Sequence, residues 1–357
     1  MRSQSSAEPG TAPSSDERRA AAGSHERVAP KPHERVAPKP HERVAPKPLG
    51  PDSLTWRYFG GWRGMIFGPW AGSMQNMHPG LGAGVEEHSD FFDERWERLY
   101  RSLYPIYGVV FDGPRAAETA AKVRGYHNTI KGVDKKGRRY HALDPETFYW
   151  AHATFFYSLV VSIEWFDGPL TLEDKHRLFD EHVQWYRLYG MPMHPVPESW
   201  EAFLEYWDHM CRNVLEDNKA ARDVLDMWRI GRPPYLWWFP EPLWRIIRPP
   251  VIAGFLWLTI GLYDPPVRDL LGYRWSRPEA TLHALIGRAI GLGGRLVPWR
   301  YRYHPRARAG WDRAFGRIPA AGLLETPARN LPPVDRRDSP MHYSPRVTRR
   351  NRPSVSP

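Results

Sequence analysis

The chain is poor in cysteine and has no long apolar run. Its 357 residues include one cysteine, Cys211, which cannot form an intramolecular disulfide and leaves no cysteine pair for covalent haem attachment or for cysteine-rich zinc and iron–sulfur sites. The first residues contain no apolar core typical of a secretory signal. The longest apolar stretch, Val251–Tyr263, is shorter than the about 20 residues that cross a bilayer. The sequence therefore predicts a cytoplasmic protein.

Several enzyme motifs are also missing. The chain has no G-x-S-x-G elbow, P-loop or H-E-x-x-H motif. The glycines Gly80, Gly82 and Gly84 have neither the spacing nor the preceding strand of a dinucleotide-binding loop. The segment ending at His88 lacks the Glu-x-x-His pairs of di-iron helical bundles. Flavin-dependent and nucleotide-dependent enzymes are therefore disfavoured.

The positive charge lies mainly at the two ends of the chain. The net charge is +10, which invites a nucleic-acid interpretation. Residues 1–48 carry +3 and residues 331–357 carry +4, which leaves +3 for residues 49–330. Because that central part is close to neutral and has no RNA- or DNA-binding motif, we do not expect it to bind nucleic acid.

The two ends are predicted to be disordered tails. The octapeptide HERVAPKP occurs three times, over His25–Pro32, His33–Pro40 and His41–Pro48. Two prolines in each repeat remove helix and ladder hydrogen bonds, so an extended tail is expected over residues 1–48. Residues 331–357 are rich in proline and arginine and are predicted to be a second tail. One folded domain is expected over residues 49–330.

Capping signals along this domain predict an all-α fold, because strand-like alternation is scarce. The run Asp112-Gly-Pro114 predicts a helix that continues to Lys131 and stops at Gly132. Further helices are predicted to start after Asp144, Thr171, Ser199 and Ser276 and to end near Gly168, Gly190, Leu215 and Leu296.

Aromatic residues are abundant, and two interpretations of them stay open. Phe, Trp and Tyr make up 13% of the chain, including 17 Trp, which is enough to enclose a flat apolar ligand or simply to form a large aromatic core. The Trp-rich segment Pro233–Tyr263 is interpreted as a buried helix pair or as a face that touches a membrane or a long hydrophobic substrate. Burial in the core is favoured for most of its residues.

Arg124, His127 and His152 are the candidate site residues. Arg124 and His127 are three positions apart, so a helix would place both on one face. If the two predicted helices pair antiparallel, His127 and His152 lie at similar heights and can face one cavity. Two such histidines suit a non-covalent haem, with Arg124 beside a bound oxygen or a haem propionate. A histidine satisfied within the core is the more frequent role for His152, and His182 is either a further ligand or a packing residue.

Several ordered motifs resemble the catalytic domain of the latex-clearing-protein and MpaB oxygenases. The likeness covers most of residues 50–330 and is moderately specific, because each motif is short. The runs that carry it are RGYHNTIKG from Arg124, RYHALDPE from Arg139, WAHAT from Trp150, YGMP from Tyr189, the pair Tyr206-Trp207, GLYDPP from Gly261 and YHPRA from Tyr303.

This resemblance implies a globin-like helical core that binds haem b and uses O2 to cleave isoprenoid double bonds. It implies His152 as the proximal iron ligand and Arg124 as the distal arginine. His127 stands where the rubber enzymes have a distal lysine, so the resemblance offers His127 as a second candidate ligand to the iron, which would give a six-coordinate haem. The expected partner is a hydrophobic small molecule, and the alternative interpretation of Pro233–Tyr263 adds peripheral contact with a membrane. The competing hypothesis is a non-catalytic haem- or lipid-binding protein.

Overall fold

The computed structural model describes residues 45–88, 95–229, 231–233 and 236–320. These residues form an all-α fold, as predicted. A two-stranded antiparallel sheet pairs β1 (Lys131–Val133) with β2 (Arg139–His141). The predicted tails lie outside the described residues, apart from residues 45–48.

The helices follow one another with short connections. In chain order they are α1 (Leu54–Phe59), α2 (Gly68–Met77), α3 (Pro79–His88), α4 (Arg95–Phe111), α5 (Ala116–Gly125), α6 (Pro145–Phe166), α7 (Leu172–Leu188), α8 (Trp200–His209), α9 (Lys219–Leu225), α10 (Glu241–Leu262), α11 (Pro265–Leu271), α12 (Arg277–Leu296), α13 (Trp299–Arg302) and α14 (Pro305–Ala314). Short 3₁₀ turns cover Trp62–Phe67, Gly113–Arg115 and Met227–Arg229, and a π turn extends α8 over Met210–Val214.

The predicted helix starts at α6, α7, α8 and α12 are confirmed. In each case the side chain before the helix accepts a hydrogen bond from a backbone N–H of the first turn, which removes an otherwise unsatisfied donor. Before α12, Ser276 and Glu279 form the complete reciprocal capping box.

The predicted end of α5, the helix before the β hairpin, is wrong. Instead of running to Lys131, α5 stops at Gly125, and a turn follows in which the His127 N–H donates to the carbonyl of Arg124. Lys131–Val133 then pairs with β2, which satisfies backbone groups that a longer helix would have used internally. Arg124 and His127 therefore do not share one helix face.

The core centres on α6 and α7. Side chains on several sides of α6 are buried, among them Tyr149, Trp150 and Phe156, and α7 turns Leu178, His182 and Trp185 toward them. At the other end of the fold, Arg306 of α14 donates two hydrogen bonds to the buried Asp112 carboxylate, which follows α4. This ion pair fastens the last described helix to the middle of the chain.

The prediction of a buried helix pair over Pro233–Tyr263 is wrong. Its main part is the single helix α10, which continues through Pro249 and Pro250 and buries only Trp244, Ile252 and Thr259. In its most apolar stretch of 18 residues, only 17% is buried inside the protein. By length and composition alone α10 could also cross a bilayer, which the shorter stretch considered in the sequence could not.

Candidate functional site

His152 lies in the middle of α6, surrounded by aromatic rings. Only 3% of its surface is exposed. The ring centroids of Trp185, Tyr186 and Tyr189 lie 4.9, 5.1 and 5.8 Å from the imidazole. All three rings come from the C-terminal part of α7 or the residue after it, where Trp185 and Tyr189 are four positions apart and lie on one side of the helix. Phe148 on α6 packs against Tyr186 at 6.2 Å and against Tyr189 at 5.3 Å, and we call these three residues the aromatic cluster.

The two ring nitrogens of His152 differ in their contacts. Nε2 lies 3.3 Å from the carbonyl oxygen of His182 and 3.3 Å from that residue's Nδ1. Nδ1 is buried and has no hydrogen-bond partner within the part of the chain that the structure describes. Burial lowers the pKa of His152 to about 3, because the charged imidazolium loses its hydration there. The imidazole is therefore neutral at pH 7, and with its proton on Nε2 it leaves a free lone pair on Nδ1.

His182 and Tyr149 support His152 from one side. The Tyr149 hydroxyl lies 3.0 Å from His182 Nε2, and the Phe156 ring stacks on the His182 imidazole at 4.2 Å. The sequence predicts His182 to be either a further ligand or a packing residue, and the structure places it directly against His152. Tyr149 was not singled out. The signal that could have found it is its place three residues before His152, on the adjoining face of the same helix.

Arg124 joins the end of α5 to the end of α7. Its Nη1 donates to the carbonyl oxygens of Tyr189 and Gly190, each at 3.0 Å. A guanidinium at this position stabilises the negative end of the α7 dipole. Gly190 has φ +63°, a conformation that favours glycine, and a Cβ there would lie 2.7 Å from Arg124 Nη1. The arginine thus reaches the aromatic cluster through the backbone at Tyr189.

His127 lies on the opposite side of this cluster. Its Nδ1 donates to the carbonyl of Val123 at 2.8 Å, and burial lowers its pKa. The imidazole packs edge-on against Phe148 at 5.9 Å, and Phe148 packs against Tyr189 at 5.3 Å. Arg124, His127 and His152 therefore all border the aromatic cluster, although the two histidines approach it from different elements.

Two clefts lie outside this cluster. The larger, about 780 Å³, opens between the β hairpin and the first turn of α6 and is lined by His78, Pro79, Gly80, residues 131–134, residues 138–141, Asp144 and Thr147. The smaller, about 210 Å³, lies beside Cys211 and Asp264. His152 lines neither cleft, so a large ligand beside it requires the packed rings to move.

The donor chemistry around His152 fits a single imidazole ligand to iron. Metal-bound histidines commonly donate their second N–H to a carbonyl, which fixes the ring, and Nε2 does this to His182 here. The ligating form is the neutral imidazole, which burial enforces at His152. Among the described residues no group of three or more His, Cys, Asp or Glu is arranged to hold a metal ion. An iron at this site would therefore be held mainly by its own macrocycle.

Comparison with protein families identifies the domain that contains these residues. Residues 56–292 match the family model described as "ER-bound oxygenase mpaB/B'/Rubber oxygenase, catalytic domain". The chain belongs to this family of oxygenase catalytic domains. The match contains α5, α6 and α7 entirely and ends within α12. No curated protein and no solved structure matches the chain. The globin-like core that the sequence resemblance implied stays a prediction.

Proposed function

We propose that the protein is a haem b-dependent oxygenase that uses O2 to cleave a carbon–carbon double bond of a hydrophobic, isoprenoid-type substrate. Membership of the oxygenase family supports the reaction class. The observation that carries the cofactor assignment is the buried, unpartnered Nδ1 of the neutral His152, whose Nε2 is held by a backbone carbonyl. Haem iron would supply the O2 chemistry that amino-acid side chains lack.

The residues around His152 have distinct roles in this proposal. His152 holds the iron, and His182 with Tyr149 orients its ring. The aromatic cluster excludes water and offers flat apolar surfaces to a porphyrin or an alkene. Arg124 provides a fixed positive charge at the edge of the cluster, where it favours a negative group such as a propionate. A hydrophobic partner follows from the composition of these surroundings.

A spectroscopic experiment tests the iron ligand. We expect the full chain, produced with haem supplied, to show a Soret band that His152→Gly loses or shifts. Adding free imidazole to His152→Gly should restore the band, because the small ligand can occupy the space left by the side chain. The matched control is His176→Gly, a solvent-exposed histidine on α7. A folded chain without a Soret band, or a band unchanged by His152→Gly, would refute the cofactor assignment.

A separate assay tests the reaction. Oxygen uptake with squalene or a carotenoid, together with aldehyde or ketone products, is expected for the loaded protein. Products must depend on both His152 and added alkene. Haem binding without oxygen consumption across such substrates would reject the oxygenase while leaving the iron ligand intact.

One observation favours a second function, a non-catalytic protein in which His127 and His152 would both hold the haem iron. His127 also donates its Nδ1 proton to a backbone carbonyl, and Nε2 makes no hydrogen bond with the described residues. His127 and His152 thus offer one free nitrogen each. A six-coordinate spectrum that becomes five-coordinate in His127→Ala, with no alkene-dependent oxygen uptake, would support this function over the first.

A further inference from the structure

Helix α12 has two faces of opposite character. His283, Gly287 and Gly291 follow at four-residue spacing and are the buried residues of the helix. A Cβ on Gly287 would lie 2.5 Å from the Trp165 ring, and one on Gly291 would overlap the carbonyl of Phe166. The helix therefore packs on α6 by its small side, with backbone close to backbone.

The other side of α12 presents leucines to solvent. Leu282, Leu285, Leu292 and Leu296 are between 52% and 86% exposed. Together with Ala289 they follow the 3-4 spacing that lines up side chains along one helix face. We call these five residues the leucine stripe. Four exposed leucines in one row are unusual for a surface that meets only water.

Arginines run along the edge of this stripe. Arg277, Arg288 and Arg295 are separated by 11 and 7 residues, close to whole helical turns, so they share one side of α12, between the stripe and the buried side. Arg277 is exposed, Arg288 is half-buried, and Arg295 pairs with the Asp167 carboxylate at 3.4 Å. The surrounding chain is equally one-sided in charge. Residues 229–302 contain eleven Arg, no Lys and four Asp or Glu, a net charge of +7. Residues 49–228 contain nineteen Lys or Arg and twenty-six Asp or Glu, a net charge of −7. The near-neutral total of residues 49–330 hides this separation.

Helix α10 extends the same region. It packs against α12, and Leu243, Ile246 and Phe255 on it are exposed. Its buried residues face the rest of the fold, so the helix lies along the protein surface. Two strongly exposed tryptophans, Trp237 and Trp238, precede it. Tryptophan favours the boundary between lipid and water, where the ring meets apolar chains and the N–H stays hydrated.

We propose that the leucine stripe, with its arginine edge, docks on a bilayer surface that contains anionic lipid. The leucines would enter the boundary between headgroups and acyl chains while Arg277 and the other exposed arginines of residues 229–302 contact lipid phosphates. A bilayer offers what the two observations require together, a broad apolar layer beneath a negatively charged surface. This docking surface is independent of haem binding and of the oxygenase reaction.

Two other occupants fit the same observations less well. A second copy of the chain joined by a twofold axis would bring the stripe, and with it the arginine-rich region of charge +7, against its own equivalent. Nucleic acid would match the charge but would leave the exposed leucines without an apolar partner. Charge and apolarity together therefore favour lipid.

Vesicle binding by the full chain tests this surface. Sedimentation with vesicles of phosphatidylcholine alone is compared with vesicles of equal parts phosphatidylcholine and phosphatidylglycerol. We expect binding to the anionic vesicles that weakens with added salt. The double variant L285S/L292S should weaken partition by about ten-fold for each leucine. R277E should weaken it by about five-fold or more, because one basic residue near the surface contributes about 1 kcal/mol.

Matched controls are chosen from the acidic part of the chain. Leu172→Ser removes a leucine that is 59% exposed on α7, and Lys122→Glu reverses an exposed charge on α5. Neither should alter partition, and all variants should keep the circular dichroism of the parent. Equal binding to both vesicles, no binding to either, or binding unaffected by L285S/L292S would overturn the proposal. A dimer that L285S/L292S dissociates, or DNA binding that R277E weakens but L285S/L292S does not, would assign the surface to the other occupants.

Discussion

Helices α7 and α12 both have an apolar face, but α7 buries that face whereas α12 exposes it. On α7 the large side chains Leu178, Trp185 and Tyr186 point into the core. On α12 the leucine stripe points to solvent, and the buried side consists of His283 and two glycines. The difference arises from the partner helix. Trp165 and Phe166 at the end of α6 leave room only for glycine, so α12 can approach closely by its small side alone.

This contrast shows what an amphipathic pattern establishes. The spacing of leucines predicts that a helix has an apolar face, but it does not say what covers that face. On α7 the cover is the protein's own core, which also buries His152 and keeps it neutral. On α12 nothing among the described residues covers the stripe, and its arginine edge points to a charged surface. The following predictions test how far the two faces differ.

The largest difference in the free energy of unfolding is expected when leucine is replaced by alanine once on α7 and once on α12. Leu178→Ala removes a fully buried side chain from α7 and should lower the free energy of unfolding by about 2–5 kcal/mol. Leu285→Ala removes one that is 62% exposed on α12 and should change it by less than about 0.5 kcal/mol. Urea unfolding of both variants measures the difference. Similar losses at the two positions would mean that the stripe is already covered in solution.

A smaller effect separates two glycines within α12. Gly291→Ala should destabilise the protein by about 1–3 kcal/mol, because the added methyl group would overlap the backbone of Phe166. Gly293→Ala places its methyl group in open space and should stabilise the protein by up to about 1 kcal/mol through helix propensity. Thermal unfolding gives the sign of each change. If Gly291→Ala also stabilised the protein, α12 would not pack on α6 by its small side.

The local features of the fold were predictable from the sequence where they depend on neighbouring residues. The capping residues Asp144, Thr171 and Ser276 identified helix starts correctly, because each satisfies a backbone N–H three residues away. The end of α5 was not predictable in this way. Its last turn competes with the pairing of β1 and β2, a contact between segments that no local spacing encodes.

The candidate site shows the same division. The motifs around Arg124 and His152 gave candidate residues that border one aromatic cluster in the structure, and the family match supports the domain that contains them. The predicted role of Arg124 as a distal group is untested, while its bonds to the carbonyls of Tyr189 and Gly190 could not be foreseen. They depend on where α7 ends in space. The burial of α10 was predicted wrongly because its Trp-rich composition suits a core and a membrane surface equally.

The smallest effect is a loss of stability at low pH, which is expected from the buried core and not from the arginine-rich surface. Burial, with the nearby Arg306 charge, lowers the pKa of His304 from 6.5 to about 3. Below pH 6.5 the unfolded chain binds a proton at this position that the folded chain does not. The free energy of unfolding therefore decreases as the pH is lowered from 6.5 to about 3. Between pH 7 and pH 5.5 this histidine should remove about 1 kcal/mol from the free energy of unfolding.

Urea unfolding at the two pH values tests this expectation in His304→Gln. The variant is expected to lose stability at both pH values, but its decline between them should be smaller than that of the parent by about 1 kcal/mol. His176→Gln, at an exposed position, should keep the parent's decline. Arginine stays charged throughout this range, so vesicle binding by the folded protein should persist at pH 5.5 while stability falls. An unchanged decline in His304→Gln would contradict the assignment of acid sensitivity to this buried histidine.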